Sequence, residues 1–370
     1  MSLARARVSV TGTFFLNGAV FGSWYTRLPV IQEHLQLSPG ELGIALFGGP
    51  VGLLVVQPAV GALAARIGSR PIVAAAPLYL GAVVLPGLAV NTVTLLLAML
   101  LVGVASGVLD TAMNAQGIAL ERASGSALFS SLHAAFAFGA LTGAGVAAVT
   151  ASVATLPYLA TGALVGSVLA AALAPGLLRD RGDPDAPLLA RPSRRLAALG
   201  VIAFCAMLAE GAVFDWSGVY LRTQVGATAR LVPLGLAAFA LCMGVGRLAA
   251  DRVAARAGST LTARAGGLLA AVGLGVALAL ASPVAAIVGF AFMGLGLSVV
   301  FPLTLRACAW GDHAAAPSLA AITTAGYGGF LIGPPVIGLL AEATELRSAL
   351  VLVCLLCAVA AALAAHVRAE

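Results

Sequence analysis

Apolar runs of about twenty residues, separated by short knots of charge, glycine and proline, recur along the whole chain. Cutting at those knots gives twelve segments: 8–29, 41–65, 71–90, 93–118, 128–150, 154–178, 196–221, 229–251, 261–281, 284–306, 317–341 and 348–367. A helix needs about 20 apolar residues to cross the hydrocarbon core of a bilayer. Lipid offers no partner to backbone N–H and C=O groups, so all twelve are predicted to be helices. The least defined division falls around Pro283. The longest hydrophilic stretch, RDRGDPDAPLLARPSRR over 179–195, reads as a cytoplasmic linker. It would join two six-helix bundles, residues 1–178 and 196–370.

Composition supports a membrane chain. Hydrophobic residues make up 61% and charged residues 9%, against about 25% charged in an ordinary soluble domain. So few charges cannot cover a water-facing surface. The apolar run after Met1–Arg7 is too long for a signal-peptide core and has no small-residue cleavage site before Trp24, so it is read as the first span.

All 20 basic residues are arginine, and with the N-terminus inside sixteen fall in or beside cytoplasmic segments. Arg27, Arg222, Arg230 and Arg347 are the exceptions. The positive-inside rule then predicts both termini in the cytoplasm of a multi-pass inner-membrane protein. The net charge of +6 is scattered over short loops rather than gathered on one face, so nucleic acid is not an expected partner. Five cysteines lie mainly in apolar runs, including Cys354 and Cys357, and read as small hydrophobes. The four histidines are dispersed. No metal, no cofactor and no catalytic constellation is expected.

The two halves repeat each other. NGAVF, Asn17 to Phe21, returns as EGAVF, Glu210 to Phe214, at an offset of 193. AARIGS (64–69) returns as AARAGS (254–259), and Gly139 and Gly143 return as Gly329 and Gly333, both at an offset of 190. The elements occupy matching ordinal places: spans 1 and 7, loops 2–3 and 8–9, spans 5 and 11. Parallel repeats of this kind allow two bundles to rock about a site near the midplane.

The chain resembles the major facilitator superfamily over nearly its whole length. GALAARIGSRP, Gly61 to Pro71, is similar to the family's loop signature G-x-L-a-D-R-x-G-R-[RK], with Ala65 in place of the usual Asp and Ser69 in place of the usual Arg. GSWYTRLP, LDTAMNAQG, SSLHAAF and YGGFLIGPPVIGLLAE look like the bacterial branch of rhizopine-type, MosC-like membrane proteins related to sugar permeases. The resemblance implies an all-α fold of twelve transmembrane helices in two pseudo-symmetric bundles, with spans 1, 4, 7 and 10 around a central cavity. It places Asn17 and Glu210 on opposing walls. It also implies a cytoplasmic latch at Arg66 and Arg70; lacking the signature Asp, the chain would rely on Asp251 beside Arg247 and Arg252 in the other half.

Acidic residues inside a membrane span cost several kcal/mol on insertion scales, so each is a functional candidate. They are Asp110 in span 4, and Glu210 and Asp215 in span 7. Asn17, Phe21 and Trp24 share one helix face at i, i+4, i+7, and Glu210, Phe214 and Ser217 repeat the spacing. Polar groups beside aromatic rings suit a small polar solute; interhelical hydrogen bonding is the alternative role. Asp110 and Asn114 are one turn apart, and His133 lies at similar depth in span 5. A carboxylate beside an imidazole can exchange protons near neutral pH, or simply pin spans 4 and 5 together. Asp215 and Arg27 lie nearer the outer ends, the first a gate or a hydrated interface group, the second an anion ligand or a snorkelling side chain. Pro50, Pro58, Pro302, Pro334 and Pro335 bend their spans, and small residues around Gly326–Gly333 allow close helix contact.

The expected function is secondary active transport of a small polar, sugar- or inositol-like solute by a monomer in the bilayer. Protons are the expected coupling ion, with Glu210 as the main coupling group and Asp110 with His133 as the second candidate. Asn17, Phe21, Trp24, Glu210, Phe214 and Asn114 are the expected substrate contacts. No P-loop is present and no lysine to build one. Drug or metabolite efflux is the alternative. It is mildly disfavoured because GALTGAG in span 5 lacks the proline of efflux signatures. A membrane enzyme lacks its constellation, and a sensor or scaffold lacks a loop long enough for a signalling domain.

Overall fold

The computed structural model describes residues 2–126, 128–180, 194–309 and 315–368. These residues fold into helices and turns alone. The chain divides into two compact units, Met1–Asp185 and Ala186–Glu370. The linker expected over 179–195 lies, apart from its ends, outside the described residues.

The first unit contains α1 (Leu3–Tyr25), α2 (Leu28–Leu35), α3 (Pro39–Ile67), α4 (Arg70–Ala74), α5 (Ala76–Ala82), α6 (Thr92–Ser124), α7 (Phe129–Val149) and α8 (Thr155–Leu173). The second contains α9 (Arg194–Thr223), α10 (Val232–Ala257), α11 (Ser259–Leu280), α12 (Pro283–Ala309), α13 (Ala315–Ala343) and α14 (Leu346–Leu363). Ten helices among the described residues are long and apolar enough to cross a membrane unaided.

The other two expected crossings differ from a plain apolar helix. α1 is 23 residues long and carries Arg5 and Arg7 in its first turns. Segment 71–90 is not one helix, as expected, but α4, α5 and a 3-10 turn over Leu85–Leu88. Pro71, Pro77 and Pro86 sit at the first positions of these three pieces. Each proline lacks the N–H that would continue the preceding ladder. A short helix, α2, also follows α1 where the sequence suggested a loop. Pro29 starts it and Gln36 ends it in the left-handed conformation.

Within each unit the same seams recur. α1 packs along α7 and α3 along α6; α9 packs along α13 and α10 along α12. Lipid tails are as apolar as leucine, so these seams rely on close packing rather than hydrophobic drive. Gly22 faces the carbonyl of Ala140, and Gly139 faces that of Phe15, so neither position has room for a β-carbon.

The glycine contacts also fix the register of the repeat. Gly139 of α7 lies against Phe15 and Ala19 of α1, and its counterpart Gly329 of α13 lies against Phe204 and Leu208 of α9. The packing offset between α1 and α9 is therefore 189, whereas the NGAVF–EGAVF match has an offset of 193. Gly22 against Ala140 and Gly211 against Phe330 give the same 189. The sequence pairing of Asn17 with Glu210 is thus corrected by four residues, about one helical turn. Glu210 occupies the place of Phe21, and Asn17 that of Ala206. One turn keeps the same face, which is how the sequence match misleads.

A buried polar clamp closes one end of the first unit. Asp180 accepts hydrogen bonds from the Ser69 amide at 3.1 Å, the Ser69 hydroxyl at 2.7 Å and Gln116 Nε2 at 3.0 Å. Gln116 also donates to the Leu178 carbonyl at 2.9 Å and accepts from the Leu178 amide at 2.8 Å. Ser69 and Gln116 are fully buried. Asp180 thus supplies a carboxylate to the loop whose own Asp is replaced by Ala65.

At the opposite end Arg27 is buried rather than snorkelling. Its guanidinium donates to the carbonyls of Thr150 and Val153 at 3.0 and 3.2 Å and lies 3.8 Å from the centre of the Tyr158 ring. Tyr158 in turn accepts from Ser23 at 2.7 Å. A cation on carbonyls just past the C-terminal end of α7 offsets the helix dipole and satisfies C=O groups of the turn that follows. Arg27 is a structural cap.

Candidate functional site

The main charged feature inside the apolar helices of the second unit is an ion pair. Glu210 lies midway along α9 and Arg247 midway along α10. One guanidinium nitrogen, Nη2, lies 3.4 Å from each carboxylate oxygen. The two side chains are 13% and 10% exposed. Gly211, adjacent to Glu210, lets the Phe330 ring close over α9. Gly246, adjacent to Arg247, receives the side chain of Ser298 from α12. Small residues beside both charges therefore bring neighbouring helices close and leave the pair only slightly exposed. Low exposure strengthens the attraction but costs solvation, so each charge is held in part by the other.

Arg247 was expected at a cytoplasmic latch beside Asp251. It turns instead to Glu210, and Asp251 lies 3.6 Å from Arg306 of α12 in an exposed pair. Arg247 and Asp251 are one turn apart on a helix, and the stronger demand of a buried carboxylate decides the match. Arg252 is exposed on α10, Arg66 is exposed in the last turn of α3, and Arg70 is half-buried at the start of α4. Phe214 packs edge-on to Phe239 with ring centres 6.0 Å apart.

In the first unit, Asn17 is buried and donates to the Met113 sulfur at 3.5 Å. Its carbonyl oxygen has no hydrogen-bond partner. It lines a small internal void with Thr13, Val73, Leu109 and Ala170. Asn17 therefore faces the interior of its own bundle, against α4, α6 and α8. Trp24 is buried and stacks on Tyr25 at 3.9 Å, and Phe21 meets Phe136 at 5.7 Å. Asn114 donates to both the Asp110 carbonyl, at 2.9 Å, and its carboxylate, at 3.2 Å. The His133 ring packs edge-on against Phe129 and Phe14, at 4.7 and 5.3 Å.

Arg247 as the partner of Glu210 was not anticipated from sequence. A signal was available, since Arg247 sits inside an apolar run where a cation is costly. A second feature was also missed. A groove of about 520 Å³ runs between α9 and α13, lined by Leu196, Ala197, Gly200, Val201, Phe204, Ala321, Ala325 and Gly328. Every lining side chain is apolar.

Two transport-protein folds of known structure are similar to this one. The nucleoside transporter NupG superposes with a TM-score of 0.73 at 15% identity, covering all of both chains. A bacterial homolog of the human lysosomal transporter Spinster, in an inward-facing and occupied conformation, gives 0.74 at 16% identity, covering 97% of this chain and 95% of that one. At such identity they establish the fold. The family model described as Major Facilitator Superfamily matches residues 10–309. The chain belongs to the Major Facilitator Superfamily. An uncharacterized MFS-type transporter of Yersinia pestis is 35% identical over 361 residues, 95% of this chain and 92% of the relative. The membrane protein MosC of Rhizobium meliloti is 32% identical over 352 residues, 93% and 86% of the two chains. The protein is thus a multi-pass membrane transporter rather than an enzyme, and it acts on a small-molecule substrate.

Proposed function

We propose that this superfamily member is a proton-coupled secondary transporter for a small polar solute, sugar- or inositol-like in its hydroxyl chemistry. It works as a monomer by alternating access in the bacterial inner membrane, with twelve crossings and both termini cytoplasmic. The buried Glu210–Arg247 pair carries the reading. A carboxylate and a guanidinium held midway across the membrane offer acceptors and donors to the hydroxyls of a solute. A proton arriving on Glu210 loosens its hold on Arg247 as solute binds, and its departure restores the pair. Phe214 supplies apolar contact in the same half; Phe21 is proposed for the same role in the first half, with Trp24, buried beside it, as support. Asp110 and Asn114, one turn apart on α6, with His133 on α7, are proposed for proton transfer and binding, and Asn17, turned into the interior of the first bundle, is proposed to support the binding face rather than touch the solute. Arg66, Arg70, Asp251 and Arg252 remain the proposed latch residues at the cytoplasmic face.

The test has two stages. A thermal-shift screen of purified protein against sugars, inositols, nucleosides, amino acids and cationic drugs identifies a binder, which raises stability by mass action. Proteoliposome uptake of that binder then compares wild type with Glu210→Gln, which mimics the protonated acid. Loss of pH-driven accumulation with exchange retained supports the reading. Normal accumulation with unchanged pH dependence would falsify it.

The apolar groove beside Phe204 favours a second reading, efflux of an amphipathic drug or metabolite. Binding of hydrophobic cations in the screen, without sugars or inositols, would select it.

A further inference from the structure

The small void inside the first unit is bounded by α1, α4, α5, α6 and α8. Thr13, Asn17 and Val73 line it, and every other lining residue is alanine or leucine. A polar site of about 10–15 Å³ holds one water, and this void measures about 10 Å³.

The void is rich in acceptors and short of donors. Asn17 is 2% exposed. Its Nδ2 donates to the Met113 sulfur at 3.5 Å, while its Oδ1 has no hydrogen-bond partner among the described residues. The Thr13 hydroxyl proton goes to the Ser9 carbonyl at 2.9 Å, so its oxygen remains as an acceptor. Val73 sits at the break in segment 71–90, where α4 ends at Ala74 and α5 begins at Ala76. Pro77, in the first turn of α5, has no N–H, so the Val73 carbonyl lacks the donor that an unbroken helix would supply.

A buried acceptor left unmatched is costly. The ligand that suits this set is small and carries two donors. A monovalent cation would also suit oxygen ligands, but no acidic residue lines the void. An ion buried without a counter-charge is strongly unfavourable.

We propose that the void is a binding site for one structural water, which donates to Asn17 Oδ1 and to either Thr13 Oγ1 or the Val73 carbonyl. The water ties α1 to the interruption in segment 71–90. Inside a bilayer, ordered water is one of the few groups able to serve a backbone freed by proline. Asn17 is then a positioning residue. It holds the water, and the water supports the break at Ala75. This holds whichever solute the protein carries and whatever ion drives it.

Two measurements on the full chain test the proposal. In crystals grown from lipid, at a resolution that shows single waters, one density peak is expected about 2.7–3.2 Å from Asn17 Oδ1. A well-defined Asn17 with no such peak overturns the proposal. Soaking with thallium(I) should give no anomalous signal at the site; a signal there would place a cation in it and overturn the assignment of water. The second measurement is solid-state NMR in phosphatidylethanolamine–phosphatidylglycerol vesicles, with isotopically labelled asparagine. The asparagines are Asn17, Asn91 and Asn114, and Asn17→Leu assigns the first. Magnetisation is expected to pass from water to the Asn17 side-chain amide within a short mixing time. Ala170→Val, which fills the void, should abolish this transfer and leave that to the exposed Asn91 intact. No transfer to Asn17 in the wild type, or undiminished transfer in Ala170→Val, overturns the proposal.

Discussion

Removing Glu210 alone should cost more than removing Glu210 and Arg247 together. At the observed 3.4 Å, two unit charges in an effective dielectric of 20 attract by about 5 kcal/mol. Desolvation consumes much of this, so the pair is not itself a large source of stability. Breaking it is different, because Glu210→Gln removes the carboxylate that faces a guanidinium only 10% exposed. Buried pairs broken in this way lose about 3–5 kcal/mol, and the residual exposure of both groups places the expectation near the lower end. Arg247→Met should cost a similar amount. The double variant Glu210→Gln/Arg247→Met should recover about 2–3 kcal/mol of the summed losses. The assay is reversible unfolding in mixed micelles by titration with denaturing detergent, in a four-way cycle. Additivity within about 0.5 kcal/mol would mean that the charges do not depend on each other. The argument for a dehydrated pair would then be refuted even if each variant were unstable.

Three further outcomes are expected. Asp180→Ala removes the acceptor for Ser69 and Gln116; a cysteine placed at Leu178 should then react with an impermeant maleimide at least about tenfold faster, corresponding to about 1.4 kcal/mol of lost closure, and equal rates would refute the clamp. Arg27→Lys should be nearly as destabilising as Arg27→Gln, each by about 2 kcal/mol, because the planar fork reaches two carbonyls and an ammonium does not; detergent unfolding checks this, and full rescue by lysine would contradict the cap. Gly139→Ala should destabilise by about 1–3 kcal/mol because the added carbon meets the Phe15 carbonyl, whereas Gly61→Ala, which meets nothing within 4 Å, should be neutral or stabilise by up to about 1 kcal/mol; equal effects in the same unfolding assay would refute the tight α1–α7 seam.

Sequence alone determined what depends on the solvent. Apolar length sets the spans because a bilayer has a fixed thickness, and the absence of lipid hydrogen bonding makes them helical. A two-fold repeat in sequence was enough to expect two matching bundles, since equal glycine spacing in spans 5 and 11 demands equal close approach. Carboxylates in apolar runs marked Asp110, Glu210 and Asp215 as costly. Tertiary structure alone decided which groups meet. Nothing in linear order distinguishes Asp251 from Glu210 as the partner of Arg247; burial on α9 does, because the more dehydrated carboxylate gains more from the cation. Nothing in NGAVF and EGAVF reveals that the match is one turn out of register, since a shift of four residues preserves the helix face. The Asp180 clamp joins residues 111 positions apart, and the Arg27 cap joins residues more than 120 apart. Such pairings are set by how helices pack, and packing responds to shape at every contact along a seam rather than to any motif read along the chain.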